Sequence, residues 1–268
     1  MTTTNEISVT RSIVTSRLLE RESWLSYGFT SRVIGIDAAD GNVSYSGGRD
    51  RAAAWTMRQA FLSDDGLDPE AIVTTGQVHG NSVLRVEATD RGRGAKPDSE
   101  ILGLADATMT REPGPILFSL HADCLPILLA DPVHRVVAVA HSGWRGTVAD
   151  VAGRTIAAMA ADFGSDPREI LAFMGPAISG AAYEVGPEVV VAWRNLHGDE
   201  SAAYWPGDAD RWQFDTATAN AERLVRAGLR TDNIERSGIC TVDSGGEWFS
   251  HRAQGPSTGR FAAYIAVR

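Results

Sequence analysis

The chain has 268 residues, two of them cysteine, with a formal net charge of −9 at pH 7; 43% of the residues are hydrophobic and 22% charged. That is enough chain for a substantial core, in one large domain or two small ones, and the composition of an ordinary globular protein. The acidic balance excludes a broad nucleic-acid surface, two cysteines exclude a disulfide framework, and no apolar run reaches the roughly 20 residues of a membrane helix.

The first residues, MTTTNEISVTRS, mix charge with isolated apolar side chains and lack the compact apolar core of a secretory signal. Residues 1–12 are therefore expected to be a flexible lead-in, residues 13–268 a single domain, and the localisation cytoplasmic. Residues 13–48 read as short strands and loops ending in the turn-rich GNVSYSGG. Arg49 to Leu62 has alanines and apolar residues at helical spacing and is expected to be a helix. AIVTTGQVHG runs as a strand into a turn carrying Gln77 and His79, and NSVLRVEA alternates as a second strand. TDRGRGAKPDSEILG is polar and glycine-rich, an exposed loop or a lid.

ADATMT and PILFSL are strands that lead to the central stretch HADCLPILLADPVHRVVAVAHSGWRG, His121 to Gly146. Its two apolar runs, PILLA and VVAVA, flank Asp131-Pro132 and read as buried strands joined by a turn. If they form an antiparallel hairpin, Cys124 before the first and His141 after the second meet at one sheet edge. Ser142 to Gly146 then turns into a helical stretch, TVADVAGRTIAAMAADF, whose N-terminus would point into the same space. Beyond it, EILAFMGPAI is a strand ending at Gly175, and GAAYEVGPEVVVAWRNL a turn into a helix with Pro187 at its first position. Residues 198–212 look like loop. FDTATANAERLVRAGL is an amphipathic helix, with Asp215 as N-cap and Gly228 past its end. SGICTVD, EWFSHR and RFAAYIAVR read as two or three strands. The expected fold is mixed α and β (α+β class): layered, largely antiparallel sheets with helices outside.

His79, Cys124 and His141 each stand beside a turn at a strand end. Two imidazoles and a thiolate suit zinc, and three protein ligands leave a fourth position open, as in catalytic sites. The long spacings carry little information alone; the alternative is an inert buried cysteine, a core histidine and a surface histidine. Asp123 would point away from Cys124 on extended backbone and could orient an imidazole, or cap a turn. Arg145 on the glycine-rich turn, with the amides of the helix start, would make a phosphate pocket; as an exposed ion pair it would do nothing. Asn42 and Gln77 could hydrogen-bond a base or ribose, or satisfy loop backbone.

QVHG, ADCLP, HSGWRG, GPAISGAAYEVG and CTVD…WFSHR…TGR occur in the order seen in the laccase-domain proteins, also called multicopper polyphenol oxidase-like. The resemblance covers roughly Asn42 to the C-terminus. It implies one catalytic domain and a zinc held by His79, Cys124 and His141. It further implies phosphorolysis of purine nucleosides, with deamination of adenosine as a companion activity. Nucleoside and phosphate would then be the partners, with neither nucleic acid nor membrane. Arg58 carries over from the family's Asn-Arg pair as a phosphate or substrate contact, although Met57 replaces the asparagine. Gly175 and Tyr183 match a turn that lines the family's pocket. FSHRA replaces the usual FSYRR, and His121 stands where many members have threonine.

Six histidines with no HxH pair cannot build a four-copper oxidase, so a laccase in the strict sense is excluded. A copper ion substituting for zinc would give at most weak polyphenol oxidation. Two further readings stay open. Cys124 with a histidine could be the nucleophile of a hydrolase or amidase, as in a bacterial branch that edits peptidoglycan precursors. A zinc closed by Cys240 or His251 would instead be structural, in a protein that is not an enzyme.

Overall fold

In the computed structural model, which describes residues 13–268, the elements follow in order. β1 (Leu25–Phe29), α1 (Arg51–Asp64), β2 (Ile72–Val73), β3 (Val83–Arg85), β4 (Ala107–Thr110) and β5 (Ile116–His121) precede the central pair, β6 (Leu125–Asp131) and β7 (Val136–Ser142). α2 (Trp144–Val148), α3 (Val151–Phe163), β8 (Leu171–Met174), β9 (Glu184–Val185), α4 (Pro187–His197), β10 (Tyr204–Pro206) and β11 (Trp212–Phe214) come next. α5 (Thr216–Arg226), β12 (Ile234–Arg236), α6 (His251–Gln254) and β13 (Phe261–Val267) complete the chain. The flexible lead-in expected over residues 1–12 lies outside the described residues.

Every residue of β6 and β7 is buried, which explains why their sequences are apolar without alternation. Both faces are covered. Leu128, Ala130, Val137 and Val139 pack on Leu117, Phe261, Ala263 and Ile265 of the facing sheet. Ile127, Leu129, Ala138 and Ala140 pack on Val151, Ile156 and Met159 of α3 and Leu224 of α5. Each Val, Leu, Ile, Met or Phe side chain among them, taken from water, contributes roughly 1.5–3 kcal/mol. The six-stranded sheet runs β12-β8-β6-β7-β4-β3 and the facing four-stranded sheet β1-β13-β5-β2. Met57, Phe61 and Leu62 of α1 cover the outer face of the latter, against Ile116, Phe118 and Tyr264. The layers are thus helix, sheet, sheet, helix, and most strand pairs are antiparallel, in the expected α+β class. Among the described residues, no helix is long and apolar enough to cross a membrane.

Four local expectations are corrected. Residues 198–212 are not simply loop: β10 and β11 pair antiparallel, Tyr204 opposite Phe214, and β9 joins them. The aromatic residues there, Tyr204, Trp205 and Trp212, fit a small sheet over Trp193 and Val189. Of the three C-terminal segments only RFAAYIAVR is a strand. SGICTVD makes one bridge, Ala177 to Cys240, and EWFSHR turns into α6, where the Ser250 side chain accepts from Ala253 N. The glycine-rich 89–103 segment is not a free lid: Thr74 N donates to Arg93 O, Leu102 N donates to Thr74 O, and Ala95 is buried. Lastly, the helical stretch after Gly146 is broken. Asp150, in left-handed conformation (φ 64°), separates α2 from α3, and its carboxylate accepts from Gly153 N and pairs with Arg223. The long helix therefore closes its own N-terminus.

Candidate active site

The β6–β7 register sets Leu125 opposite Ser142 and Pro126 opposite His141, so Cys124 and His141 do emerge together at one end of the hairpin. His79 arrives on the 77–80 turn with φ 60°. One ligand atom from each of His79, Cys124 and His141 lies within 4.8 Å of the others, and no further such group of three exists among the described residues. Tetrahedral zinc ligands stand roughly 3.5 Å apart, so small side-chain shifts would close this set on one ion. Cys240 and His251 do not join the group, which leaves the closed, structural zinc without its fourth ligand.

Charge favours the same use. Burial raises the Cys124 thiol, but the charge of His141 and hydrogen bonds from His141 and His79 outweigh it and bring the pKa down to about 6. Burial lowers His141, while the Cys124 thiolate and the Asp106 carboxylate lift it to about 9. The metal-free pair is a thiolate beside an imidazolium at neutral pH, with the sulfur already in the ligating form. His79 is exposed and His141 buried, so access is from the His79 side.

The acceptor on the imidazole is not Asp123. The Asp123 carboxylate takes Thr241 Oγ1 at 2.6 Å and Arg252 N at 2.6 Å, stapling the C-terminal segments to the site. The acceptor is Asp106, 2.9 Å from His141 Nδ1. Burial raises its pKa, and the His141 bond with the Gly80 and His79 amides more than offsets this, so it stays ionised. A lone aspartate opening an otherwise uncharged strand, as in ADATMT, is the sequence signal for it. His121 is no ligand either: its Nδ1 donates to Cys124 O at 3.0 Å and Ser119 Oγ donates to its Nε2 at 2.7 Å. Burial, then the His141 charge, holds it neutral, well below the usual histidine range.

These groups line one side of a cavity of about 710 Å³. Gln77, Asp123, Tyr183 and Arg145 reach it; Asn42, Arg58 and Gly175 do not. Gln77 has both ends of its amide on Leu120 backbone, so its role at the wall is structural. Asn42 binds the backbone of Ser44 and Arg260. Arg58 is 2% exposed and donates to the carbonyls of Val43, Gly94 and Ala95, its guanidinium 3.9 Å from the Tyr45 ring centre. It anchors the 89–103 segment and cannot also hold phosphate. Gly175 is a packing position, where a Cβ would sit 2.3 Å from Phe29 Cε1. Arg145 lies within α2, not on a turn before the long helix, and its guanidinium is 4.3 Å from the Trp144 ring centre.

Arg252 and Arg260, which the sequence motifs do not single out as site residues, both line the cavity, with Ser44, Ser46 and His251. Among the described residues, Arg145, Arg252 and Arg260 make no ion pair with a carboxylate, whereas many other arginines of this acidic chain do. Tyr183 stays a neutral hydroxyl, its pKa pushed to about 12 by burial and then by the Cys124 charge.

Gly143 stands where α2 leaves β7. A Cβ there would lie 2.9 Å from Cys124 Sγ and 3.0 Å from His79 Cδ2. Gly143→Ala is therefore expected to weaken metal binding about tenfold or more while the fold persists, read by chelator competition and circular dichroism.

Residues 26–268 match the family described as multi-copper polyphenol oxidoreductase laccase. Purine nucleoside phosphorylase YlmD of Bacillus subtilis is 33% identical over 220 residues, 82% of this chain and 79% of that protein. Purine nucleoside phosphorylase SCO2081 of Streptomyces coelicolor is 36% identical over 242 residues, 89% of this chain and 94% of that one. The crystal structure of YlmD from Geobacillus stearothermophilus superposes with a TM-score of 0.91 at 28% identity, covering 97% of this chain and 98% of that one.

Proposed function

Since the chain belongs to the multi-copper polyphenol oxidoreductase laccase family, we propose that it is a zinc-dependent purine nucleoside phosphorylase that also deaminates adenosine, residues 13–268 forming one catalytic domain. The observation that carries this reading is one cavity holding both the His79–Cys124–His141 group and three arginines without carboxylate partners among the described residues. The first suits a divalent cation and the second an anionic co-substrate.

In phosphorolysis a phosphate oxygen bonds to the anomeric carbon while the glycosidic C–N bond breaks, and the base leaves with the bonding pair and takes up a proton. Arg145, Arg252 and Arg260 hold the phosphate. Arg260 is fixed for this by donating Nη1 to the Thr258 and Gly259 carbonyls, and Arg252 by donating Nη2 to Glu184 O. The faces of Trp144 and Tyr183 offer apolar area for the base, and the neutral Tyr183 hydroxyl can donate a hydrogen bond across the physiological range. Zinc, held by His79, Cys124 and His141, would supply Lewis acidity and, for deamination, an activated water.

The deciding experiment incubates inosine and adenosine with metal-analysed protein, with and without phosphate. Ribose 1-phosphate is expected only with phosphate; hydrolysis to free ribose regardless of phosphate would end the phosphorylase reading. Arg260→Ala and Arg252→Ala should each raise the KM for phosphate about tenfold or more, in line with the roughly 1.5–3 kcal/mol of a hydrogen bond to a charged group. An unchanged KM removes that arginine from the site. Copper in place of zinc in the purified protein, with oxidation of a phenol at comparable rate, would favour the weak oxidase instead.

A second reading is supported by the line Cys124, His141, Asp106, which has the order of nucleophile, base and orienting acid. As a cysteine hydrolase or amidase the protein would keep its activity after chelation, whereas the zinc reading expects loss and recovery with added zinc.

A further inference from the structure

We infer that Asp106 is the positioning residue of this site: one buried carboxylate fixes two of the three metal ligands, choosing which nitrogen of His141 faces the centre and holding the backbone of His79 in place. The inference rests on the proposed metal site and adds how its ligands are aimed. Asp106 is 2% exposed and directly precedes β4. Its Oδ1 accepts from His141 Nδ1 and from His79 N, both at 2.9 Å. Its Oδ2 accepts from Gly80 N at 2.7 Å and from Val78 N at 3.2 Å. Its main-chain oxygen accepts His141 N at 2.7 Å. Among the described residues, every hydrogen bond of the side chain is therefore with one of the two ligand-bearing segments.

Two consequences follow. With a proton on Nδ1 directed at Asp106, only Nε2 of His141 is left for a metal. Three successive amides, Val78 to Gly80, also wrap the carboxylate as a nest does an anion. That wrapping stabilises His79 at φ 60°, a conformation that residues other than glycine rarely adopt. The two other candidates for this job are engaged elsewhere, Asp123 with Thr241 and Arg252, and His121 with Ser119 and Cys124.

The test uses the full-length protein and its Asp106→Asn variant, which keeps the volume but turns a donor toward the amides. In zinc-loaded wild type, an imidazole nitrogen–proton spectrum should show His141 Nδ1 carrying a solvent-protected proton and Nε2 carrying none, a pattern that the variant loses. A His141 without a proton on Nδ1 overturns the inference, and this arm holds whether or not the variant folds. Competition against a zinc chelator should then give the variant a zinc affinity about 10–100-fold weaker. The rise in melting temperature on adding zinc should shrink in step. A purely structural aspartate would lower the melting temperature of both forms and leave the zinc-induced rise unchanged, which also overturns the inference. Wild type that binds no zinc would instead remove the metal site itself.

Discussion

Cys124→Ala is expected to abolish stoichiometric metal binding and to cut phosphorolysis by about 10³-fold or more. The thiolate is the only sulfur in the group, and it is the anion that balances the dication. Without it, two imidazoles remain, one exposed and one tied to Asp106. A bound cation supplies several kcal/mol of transition-state charge stabilisation, and each 1.36 kcal/mol is tenfold in rate. The substitution removes a single sulfur from a half-buried position, so the fold should survive and the circular dichroism spectrum should be unchanged. Metal content and ribose 1-phosphate formation, measured on one preparation, check the expectation; full activity in the variant would end the metal-centred reading.

The same residue gives a pH signature. In metal-stripped wild type, iodoacetamide should label Cys124 with a rate that rises through a pKa of about 6, because the thiolate dominates above that value and the thiol below it. Zinc should protect the sulfur. A rise only near the ordinary thiol range would show that the His141 imidazolium is not beside it.

Arg58→Ala is expected to destabilise the protein by about 3–5 kcal/mol and to leave the phosphate KM unchanged. Removing the guanidinium strands the carbonyls of Val43 and Gly94 in a buried setting, each at a cost of about 1–3 kcal/mol, while the Ala95 carbonyl keeps the Tyr45 hydroxyl as donor. It also opens a cavity beside Tyr45 and Phe118. Burial lowers the Arg58 pKa to about 10, so the group is still a cation at neutral pH, and the Tyr45 and Phe118 rings stack against it. Urea unfolding measures the loss, and steady-state kinetics in the cold measure KM on the folded fraction. The opposite outcome, normal stability with a raised KM, would put Arg58 back in the substrate site.

Much of the His79–Cys124–His141 cluster is legible in the sequence. PILLA and VVAVA are apolar on both faces because a second sheet covers one side and α3 with α5 the other. Asp131-Pro132 permits only a short turn between them. Those two local facts force Cys124 and His141 to one edge. His79 could be added from its residue type and its turn, and from the family motifs, but not from spacing.

The supporting cast was misread for a consistent reason. Asp123 stands out in sequence as a possible orienting carboxylate because it adjoins Cys124. In the fold the left-handed backbone at Asp123 (φ 80°) sends its carboxylate to Thr241 and Arg252, and the β4–β7 pairing delivers Asp106 to His141. Arg58 looked like a phosphate ligand because a charge carries no mark of being buried. Arg252 and Arg260 carry no local signal of a site role, because nothing local says that the C-terminal segments fold back over the hairpin end.

Residue chemistry and hydrophobic period are local properties, and they are enough to point to the layered α+β class, the central hairpin and the His79–Cys124–His141 cluster that could hold a metal. Which carboxylate orients the imidazole, and which arginines face the cavity, depends on contacts such as Asp106 with His141 and Asp123 with Arg252, between segments far apart in the chain. Only tertiary packing decides those, because burial and pairing are properties of the assembled layers and not of any one stretch.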